Sequence, residues 1–383
     1  LVGKNGSGKT ASLHALHRLR PVEGGATFDV QSHYPAWLEK RDRQQGVELQ
    51  EVVPIRAIFS FEEGEVHQVE ERFGSNTFKK NEVILARNYK GELKRELSLD
   101  ERAFVQHVVE EIDWPYGTKT PAKETNNVDE LRGYAQKLSR HASKDESPET
   151  DEESEGSRAK KAAQRIDREL EERLGESGDL WSAVWSVVEP MIPRFLYFDE
   201  YSQLPYSVDI KRVLTQDASQ LDRSELTARS LLRLGGAEED YLTNPDFERR
   251  TRELENVSNS LTRDLREYWT QNPELRVEPR ITKETVSAGR NQGQKAVVDE
   301  LKLRIRDDRH WLSLPFDEHS SGFRWFFSFL AAFSKYEHTD EPLVILLDEP
   351  ALGLHAKAQA DFLRYIEERL APRCQVVYTT HSP

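Results

Sequence analysis

Cysteine, long hydrophobic runs and an excess of positive charge are all scarce or missing in this 383-residue sequence. Its one cysteine, Cys374, excludes an internal disulfide and fits a reducing compartment. No apolar run approaches the roughly 18 residues that a membrane-spanning helix needs. The first residues also lack the basic and then apolar order of a signal peptide. We therefore expect a cytoplasmic protein that makes no membrane contact.

The charge balance is acidic rather than basic. A formal net charge of −14 argues against a uniformly basic nucleic-acid binder, although it leaves room for a local basic groove. The hydrophobic share of 37% is low and the charged share of 32% is high for a globular protein. This composition predicts a packed core with many exposed charged helices, in one large domain or two ordinary ones.

The sequence begins with a glycine-rich segment, LVGKNGSGKT, that contains the phosphate-binding pattern G-x-x-x-x-G-K-[ST]. The glycines let successive backbone N–H groups turn towards phosphate oxygens, at the positive end of a helix predicted by the leucine spacing that follows. Lys9 adds a positive charge for the β- and γ-phosphates, and the Thr10 hydroxyl can bind Mg²⁺. The predicted nucleotide-binding residues of the loop are Gly3, Asn5, Gly6, Ser7, Gly8, Lys9 and Thr10.

A second element, LVILLDEP, combines a run of apolar residues with two acids. The uninterrupted run Leu343 to Leu347 predicts a central parallel strand that is buried on both faces. Asp348 and Glu349 follow at the carboxyl edge of that strand, where open α/β sheets bind ligands. We assign Asp348 to the Mg²⁺ site and Glu349 to the activation of an attacking water. The alternative is an ordinary strand that ends in an acidic turn.

The next segments predict a crossover back to the same sheet edge. HAKAQADFLRYIEERLA has one apolar face and predicts a helix, and QVVYTTHSP predicts a strand that ends at His381. A strand, helix and strand in this order form the right-handed unit of a parallel sheet. His381 then returns to the edge that carries Asp348 and Glu349, where it is a candidate contact to the γ-phosphate.

A third element, FDEHSSGFRWFF, predicts a small-residue turn followed by an aromatic helix. A hydroxyl and a glycine at a helix N-terminus can form an anion-binding nest, so Ser320 and Gly322 are further candidate phosphate contacts. A simple helix-capping role would explain Ser320 equally well.

The order of phosphate loop, small-residue nest, acidic strand and terminal histidine resembles that of the ATP-binding cassette (ABC) ATPases. In that superfamily the nest is the signature motif, which binds the ATP held on the opposite subunit. Ser320 and Gly322 match the serine and last glycine of its L-S-G-G-Q pattern, whereas His319, Ser321 and Phe323 depart from it. The resemblance implies an α/β P-loop NTPase with a mainly parallel central sheet, which binds ATP and Mg²⁺ as a homodimer.

Several segments resemble one branch of that superfamily, the ATPase domains of the overcoming-lysogenisation-defect (OLD) nucleases. The branch belongs with the RecF and SMC proteins, and the segments are YFDEYSQLP, LREYWTQ, SSGFRWFFSF, LLDEPALGLH and YTTHSP. This resemblance implies DNA and a fused or separate TOPRIM nuclease domain as further partners, in phage defence or repair. The wider ABC resemblance also implies a lid glutamine, for which the candidates are Gln31, Gln44, Gln45, Gln50 and Gln68.

The rest of the chain predicts two halves of an ATPase head around a helical or coiled-coil insertion. The expected divisions are 1–114, 115–275 and 276–383. IRAIFSF before a Glu-Gly turn and NEVILAR predict strands in the first part, and LKLRIRDD with the returning LSL predicts strands in the last. In the insertion, the acidic segment near 144–157 predicts a disordered loop. The segment RAKKAAQRIDRELEERL predicts an exposed coiled-coil arm. The segment LENVSNSLTRDLREYW predicts an amphipathic helix.

We also expect sequence beyond both ends, because Leu1 and Val2 fit the last residues of a central strand and a nuclease domain would follow the THSP segment. Two other functions stay open. One is an ATP-gated DNA-binding clamp or scaffold, in which hydrolysis is incidental. The other is a transporter nucleotide-binding subunit, which the charged insertion and the SSGFRW segment disfavour.

Overall fold

The computed structural model describes residues 1–4, 6–22, 24, 26–112, 114, 122–142, 155–234, 247–287, 295–333, 336, 341–350 and 352–380. The chain forms two compact units: a discontinuous unit of Leu1–Asp29 with Pro193–Pro383, and an inserted unit of Val30–Ile192. Both units mix helices and strands, so the α/β expectation is confirmed. The unit boundaries differ from the domain boundaries expected after 114 and 275, which stay a prediction.

The described elements follow one another along the chain with these bounds. The strands are β1 Ile55–Ser60, β2 Phe78–Arg87, β3 Leu93–Leu99, β4 Arg194–Phe198, β5 Ser207–Asp209, β6 Leu275–Ser287, β7 Lys295–Asp307, β8 Leu312–Pro315, β9 Leu343–Leu347 and β10 Gln375–Tyr378. The helices are α1 Lys9–Leu19, α2 Val30–His33, α3 Ala36–Gln44, α4 Glu63–Phe73, α5 Glu101–Glu111, α6 Val128–Ala142, α7 Glu155–Leu174, α8 Leu180–Val188, α9 Ile210–Thr215, α10 Arg223–Leu234, α11 Phe247–Tyr268, α12 Ser321–Phe333 and α13 Ala356–Tyr365. None of the helices that the structure describes is long and apolar enough to cross a membrane.

A parallel sheet in the order β10-β9-β4 forms the centre of the discontinuous unit. Leu347 of β9 lies opposite Tyr378 of β10 on one side and Phe198 of β4 on the other. All the residues of β9 are buried, which confirms the prediction of a central strand from its apolar run. A further parallel bridge joins Val2 to Thr380, so the first residues of the chain run beside the segment that follows β10.

Helices cover both faces of this sheet. Successive residues of a strand point to opposite faces, so neighbouring residues of β4 contact different helices. On one face, Tyr197 of β4 meets His14 of α1, with ring centroids 4.7 Å apart. On the other face, Phe198 packs edge-on against Trp325 and Phe329 of α12, at 5.7 and 5.6 Å. The aromatic helix predicted after the Ser-Ser-Gly turn is therefore a core element, and its position fixes the turn close to the sheet.

An antiparallel sheet in the order β5-β7-β6, with β8 paired to β7, belongs to the same unit. The alternation predicted for the last part is confirmed, because Leu301, Leu303 and Ile305 of β7 are buried. The long partner strand β6 was not predicted. Its sequence is largely polar and contains Pro279, so the alternation that marks a strand is weak.

The inserted unit contains the antiparallel sheet β1-β2-β3. Burial alternates along β1 as predicted, with Ile55, Ala57 and Phe59 on the less exposed face. The Glu-Gly turn predicted after this strand is wrong. Glu63 and Gly64 begin α4, because Glu62 and Glu65 form a reciprocal capping box in which the Glu62 N–H donates to Glu65 Oε2 at 2.8 Å.

The mixed-charge segment predicted as an exposed coiled-coil arm forms α7. The helix is confirmed, but its exposure is wrong, since Ala162, Ala163, Ile166 and Leu170 are buried. Small alanines on one face allow close packing, and only the remaining faces carry charge. The acidic segment predicted to be disordered lies outside the described residues up to 154, and its last residues open α7.

Candidate nucleotide site

The glycine-rich loop has the backbone that its pattern predicts. Gly6 and Gly8 have φ values of 75° and 88°, in the left-handed region that favours glycine. Gly8 precedes α1, and the Ser7 N–H closes a turn on the Lys4 carbonyl at 3.2 Å. A Cβ atom on Gly3 would lie 2.8 Å from the Ser7 hydroxyl oxygen, so a larger residue there would require this hydroxyl to move.

Lys9, the first residue of α1, folds back over this loop. Its Nζ atom donates to the carbonyl oxygens of Gly3 at 2.8 Å and Lys4 at 3.1 Å. The ammonium group therefore stays beside the turn at the positive end of the helix, where anions bind favourably. Asn5, a further predicted member of the loop, lies outside the described residues.

A hydrogen bond links the residue that follows the acidic strand to the first turn of α1. The Thr10 hydroxyl donates to Asp348 Oδ1 at 3.1 Å, which brings together the two residues predicted to bind Mg²⁺. Two other hydroxyls contact the same carboxylate: Thr379 donates to Oδ1 at 2.6 Å, and Tyr197 donates to Oδ2 at 3.2 Å. The position of the carboxylate is thus fixed by three separate segments of the chain.

Tyr197 lies in a crowded, partly charged environment. Its ring stacks on that of His17, with centroids 5.6 Å apart, and the Arg223 guanidinium lies 5.0 Å from the ring centre. Burial, together with the carboxylates of Asp199 and Asp348, raises the pKa of Tyr197 well above its usual value. The phenol therefore stays protonated and acts as a hydrogen-bond donor to Asp348.

The buried carboxylate of Asp199, near this tyrosine, forms an ion pair with Arg223. Asp199, one residue beyond the end of β4, also accepts hydrogen bonds from the Tyr201 N–H and the Ser202 hydroxyl, both at 3.0 Å. Burial raises the pKa of the Asp199 carboxyl, and Arg223 acts in the opposite direction. Burial also lowers the pKa of His17 to about 3, so this imidazole is neutral at physiological pH.

Glu349 has an unusual backbone for a residue with a side chain. Its φ is +46°, a left-handed conformation that costs about 1–2 kcal/mol for a residue other than glycine. Its N–H donates to the Thr379 hydroxyl at 2.8 Å. Backbone strain of this kind is often found at functional sites, where surrounding contacts hold it in place.

A cavity of about 440 Å³ opens beside Glu349. It lies between the ends of β4 and β9 and the start of α12. Its lining residues are Asp199, Glu200, Tyr201, Gln203, Ser321, Trp325, Asp348, Glu349, Leu352 and Gly353. The predicted base and the small-residue turn therefore share one concave surface.

The small-residue turn also has a structural role. The Ser320 hydroxyl accepts a hydrogen bond from the Phe323 N–H at 3.3 Å, so Ser320 caps α12, as the alternative explanation predicted. Gly322 packs against the loop after the acidic strand, where a Cβ atom would lie 2.7 Å from the Gly353 carbonyl oxygen. The contact of these residues with a phosphate stays a prediction.

The positions of the other predicted site residues relative to this arrangement stay predictions. His381 lies outside the described residues, so its contact with a γ-phosphate stays a prediction. The five candidate lid glutamines all belong to the inserted unit. Gln203, which was not among them, lines the cavity together with Asp348 and Glu349.

The sequence analysis missed four residues of the site: Tyr197, Asp199, Gln203 and Thr379. The segment RFLYFDE has the same form as LVILLDE, an apolar run followed by Asp-Glu, and this likeness could have indicated a second strand ending at the same edge. Thr379 carried no such signal, because its contact with Asp348 depends on the neighbouring positions of β9 and β10.

The residues present fit a magnesium nucleotide. The fit rests on the loop geometry at Gly6 and Gly8 and on the Thr10–Asp348 pair of oxygen ligands. Hydroxyl and carboxylate oxygens are the donors that Mg²⁺ prefers beside phosphates. Lys9 supplies the positive charge for the polyphosphate.

Comparison with known proteins agrees with this fit. The model of the family described as "AAA domain, putative AbiEii toxin, Type IV TA system" matches residues 1–383. The chain belongs to this AAA-domain family. Its membership indicates nucleotide-binding ATPase activity, consistent with the phosphate loop and the acidic strand.

The AAA domain described here is also similar to an uncharacterized protein of Methanocaldococcus jannaschii. The two are 26% identical over 135 residues, which cover 33% of this chain and 31% of the archaeal protein. The chain thus matches about a third of that relative's length, and the similarity carries no functional information beyond the family.

Proposed function

We propose that this AAA domain is an ABC-type ATPase head that binds and hydrolyses ATP. The observation that carries the proposal is the meeting of loop and acidic strand at the Thr10–Asp348 hydrogen bond of 3.1 Å. The loop backbone and Lys9 would hold the phosphates, and Thr10 and Asp348 would hold Mg²⁺. An ion held by Thr10 and Asp348 would supply positive charge to offset the charge that develops on the transferred phosphoryl group.

Glu349 is the proposed general base. It follows Asp348 at the edge of the sheet, and it is one of the residues that line the cavity beside the start of α12. A base must lie within reach of the water it deprotonates, and the open cavity leaves space for that water. His381, which follows Thr380 in the sequence, is proposed as the contact to the γ-phosphate.

Dimer formation completes the proposal. Ser320 and Gly322 stand at the N-terminus of α12, where they would bind the γ-phosphate of ATP held by a second copy of the chain. Two ATP molecules would then lie between phosphate loops and opposing turns. Closure on binding and release on hydrolysis would control a DNA-processing partner such as an OLD-like nuclease, in phage defence or repair.

The Glu349→Gln variant tests hydrolysis and dimer formation together. It should bind ATP like the wild type, lose about 10²- to 10⁴-fold in turnover, and form a stable dimer with ATP, measured by ATP hydrolysis and light scattering. Glu274→Gln is a matched control, since this exposed carboxylate pairs with Arg309 outside the cavity. Wild-type turnover in Glu349→Gln would show that Glu349 is not the base, and a persistent monomer would count against the dimer.

A further inference from the structure

Thr379 lies one residue beyond the end of β10, next to the acidic end of β9. Its side chain is fully buried, at 0% exposure. Its N–H donates to the Leu347 carbonyl at 3.0 Å, which continues the pairing of the two strands by one residue. The register therefore places Thr379 beside Asp348, and parallel neighbours at one level present their side chains on the same face.

The direction of both hydrogen bonds of this hydroxyl follows from its partners. The Glu349 N–H, at 2.8 Å, can only donate, so the Thr379 oxygen accepts from it. The single hydroxyl hydrogen is then available for Asp348 Oδ1, at 2.6 Å. One buried side chain thus connects the proposed metal carboxylate with the backbone of the proposed base.

The two connections act on different groups. At Asp348, the Thr379 hydroxyl holds Oδ1 while the Tyr197 hydroxyl holds Oδ2 at 3.2 Å, so the carboxylate is restrained from both sides. At Glu349, the Thr379 bond holds the amide of a residue whose φ is +46°. Tyr197 and Thr379 both hydrogen-bond to the Asp348 carboxylate, whereas Thr379 also accepts the hydrogen bond from the Glu349 amide.

We propose that Thr379 is a positioning residue of the hydrolytic site, which orients Asp348 through its carboxylate and Glu349 through its backbone. The proposal rests on the proposed ATPase function. It predicts that loss of the hydroxyl weakens metal binding and also lowers turnover at saturating metal. Loss of the Tyr197 hydroxyl should affect metal binding alone.

Metal binding is measured without turnover. The affinity for Mn²⁺ of the full chain with a non-hydrolysable ATP analogue is followed by electron paramagnetic resonance. Thr379→Val and Tyr197→Phe should each weaken it by about tenfold or more, the usual effect of removing a hydrogen-bond partner from a metal ligand. Thr379→Ser, which keeps the hydroxyl, should stay within about threefold of the wild type.

Turnover then separates the two roles of Thr379. At saturating Mg²⁺, kcat should recover in Tyr197→Phe and stay about tenfold or more below the wild type in Thr379→Val, with little change in the KM for ATP. Thr379→Ser should restore kcat. Thr77→Val is the matched control, because Thr77 is also 0% exposed and its hydroxyl bonds to backbone carbonyls in the inserted unit.

The outcomes distinguish this proposal from the function on which it rests. Wild-type metal affinity and kcat in a folded Thr379→Val protein would overturn the positioning role, as would a Thr379→Ser protein as impaired as Thr379→Val. If Thr379→Val does not fold, Thr379→Cys, whose thiol is a poor hydrogen-bond donor, replaces it with the same expectations. A wild-type chain that neither binds nor hydrolyses ATP would instead contradict the ATPase function.

Discussion

The Thr10 hydroxyl donates a hydrogen bond of 3.1 Å to Asp348 Oδ1, although the two residues are separated by 338 positions in the sequence. The contact exists because Val2, just before the phosphate loop, runs parallel to β10, and β10 in turn pairs with β9. The carboxyl ends of these parallel segments meet at one edge of the sheet. A loop and a strand end from opposite parts of the chain thereby form one site.

Removal of either member of this pair should weaken the metal dependence of hydrolysis. Thr10→Ala and Asp348→Asn should each raise the Mg²⁺ concentration for half-maximal turnover by about tenfold or more. Thr10→Ser keeps the hydroxyl and should stay close to the wild type. Because the two side chains act together, the double variant should be less impaired than the two separate effects combined would predict. Fully additive effects would show that the residues act independently.

The local structures that a short pattern specifies agree with the prediction: Gly6 and Gly8 have left-handed φ values, and the apolar strand before Asp348 is buried. The loop of Gly3 to Thr10 and the apolar strand before Asp348 each have a composition that physical chemistry restricts, so their geometry follows from a few residues. The contacts of Tyr197 and Thr379 depend on strand order instead. Neither a tyrosine in an apolar run nor a threonine after a strand indicates which carboxylate it will meet.

The same distinction explains the errors in the fold. The segment of α7 has the charge pattern of an exposed helix, and only the packing of Ala162 and Ile166 shows that one face is buried. At Glu63 and Gly64, the residue types favour a turn, but the capping box of Glu62 and Glu65 begins a helix there. In both cases a contact between residues outweighs the local preference.

Gly322 should not tolerate a side chain. In Gly322→Ala the new Cβ atom would lie 2.7 Å from the Gly353 carbonyl oxygen and 3.1 Å from Leu354 Cδ2, so one segment must move. We expect a loss of about 1–3 kcal/mol in the free energy of unfolding, measured by chemical denaturation. Turnover should fall as well, because the shift displaces the loop after Glu349.

Gly133→Ala is the matched control for this substitution. Gly133 lies inside α6, and a Cβ atom there would meet nothing within 4 Å. Alanine should therefore stabilise the chain by about 0.5–1 kcal/mol, since glycine is unfavourable inside a helix. If Gly322→Ala were as stable and as active as the wild type, close packing against Gly353 would not be the reason for a glycine at this position.

The partly buried imidazole of His17 should make stability depend on pH. Burial first, and then the nearby positive charges, lower the pKa of His17 to about 3, against about 6.5 in an unfolded chain. Between these two values the unfolded chain binds the proton and the native chain does not. The stabilisation is therefore complete above pH 6.5 and is lost as the pH falls towards 3, at up to about 1.4 kcal/mol per pH unit.

Comparison of the wild type with His17→Phe, which keeps a ring against Tyr197, isolates this contribution. Between pH 6.5 and 4.5 the wild type should lose about 2–3 kcal/mol more than the variant in the free energy of unfolding. Chemical denaturation at several pH values measures the difference. A constant difference across this range, or a His17 resonance that titrates near pH 6.5 in the folded protein, would contradict the prediction.

We expect Gln203 to be the lid glutamine that supports ATP hydrolysis. It follows β4, the parallel neighbour of β9, and it lines the cavity shared by Asp348 and Glu349. A side-chain amide at this edge can hydrogen-bond to the attacking water or to a water of the metal, which fits the lid role that the ABC resemblance implies. We expect Gln203→Ala to lower kcat by about tenfold or more, within the range for groups that position a reactant.

Gln50→Ala is the appropriate comparison, because Gln50 belongs to the inserted unit and was a candidate on sequence grounds. It should leave kcat and the KM for ATP within about threefold of the wild type, since the substitution of an exposed residue usually has little energetic effect. The reverse result, with a fall in kcat for Gln50→Ala and none for Gln203→Ala, would place the lid in the inserted unit. This pair of variants therefore tests whether the lid glutamine is supplied by the discontinuous unit or by the inserted unit.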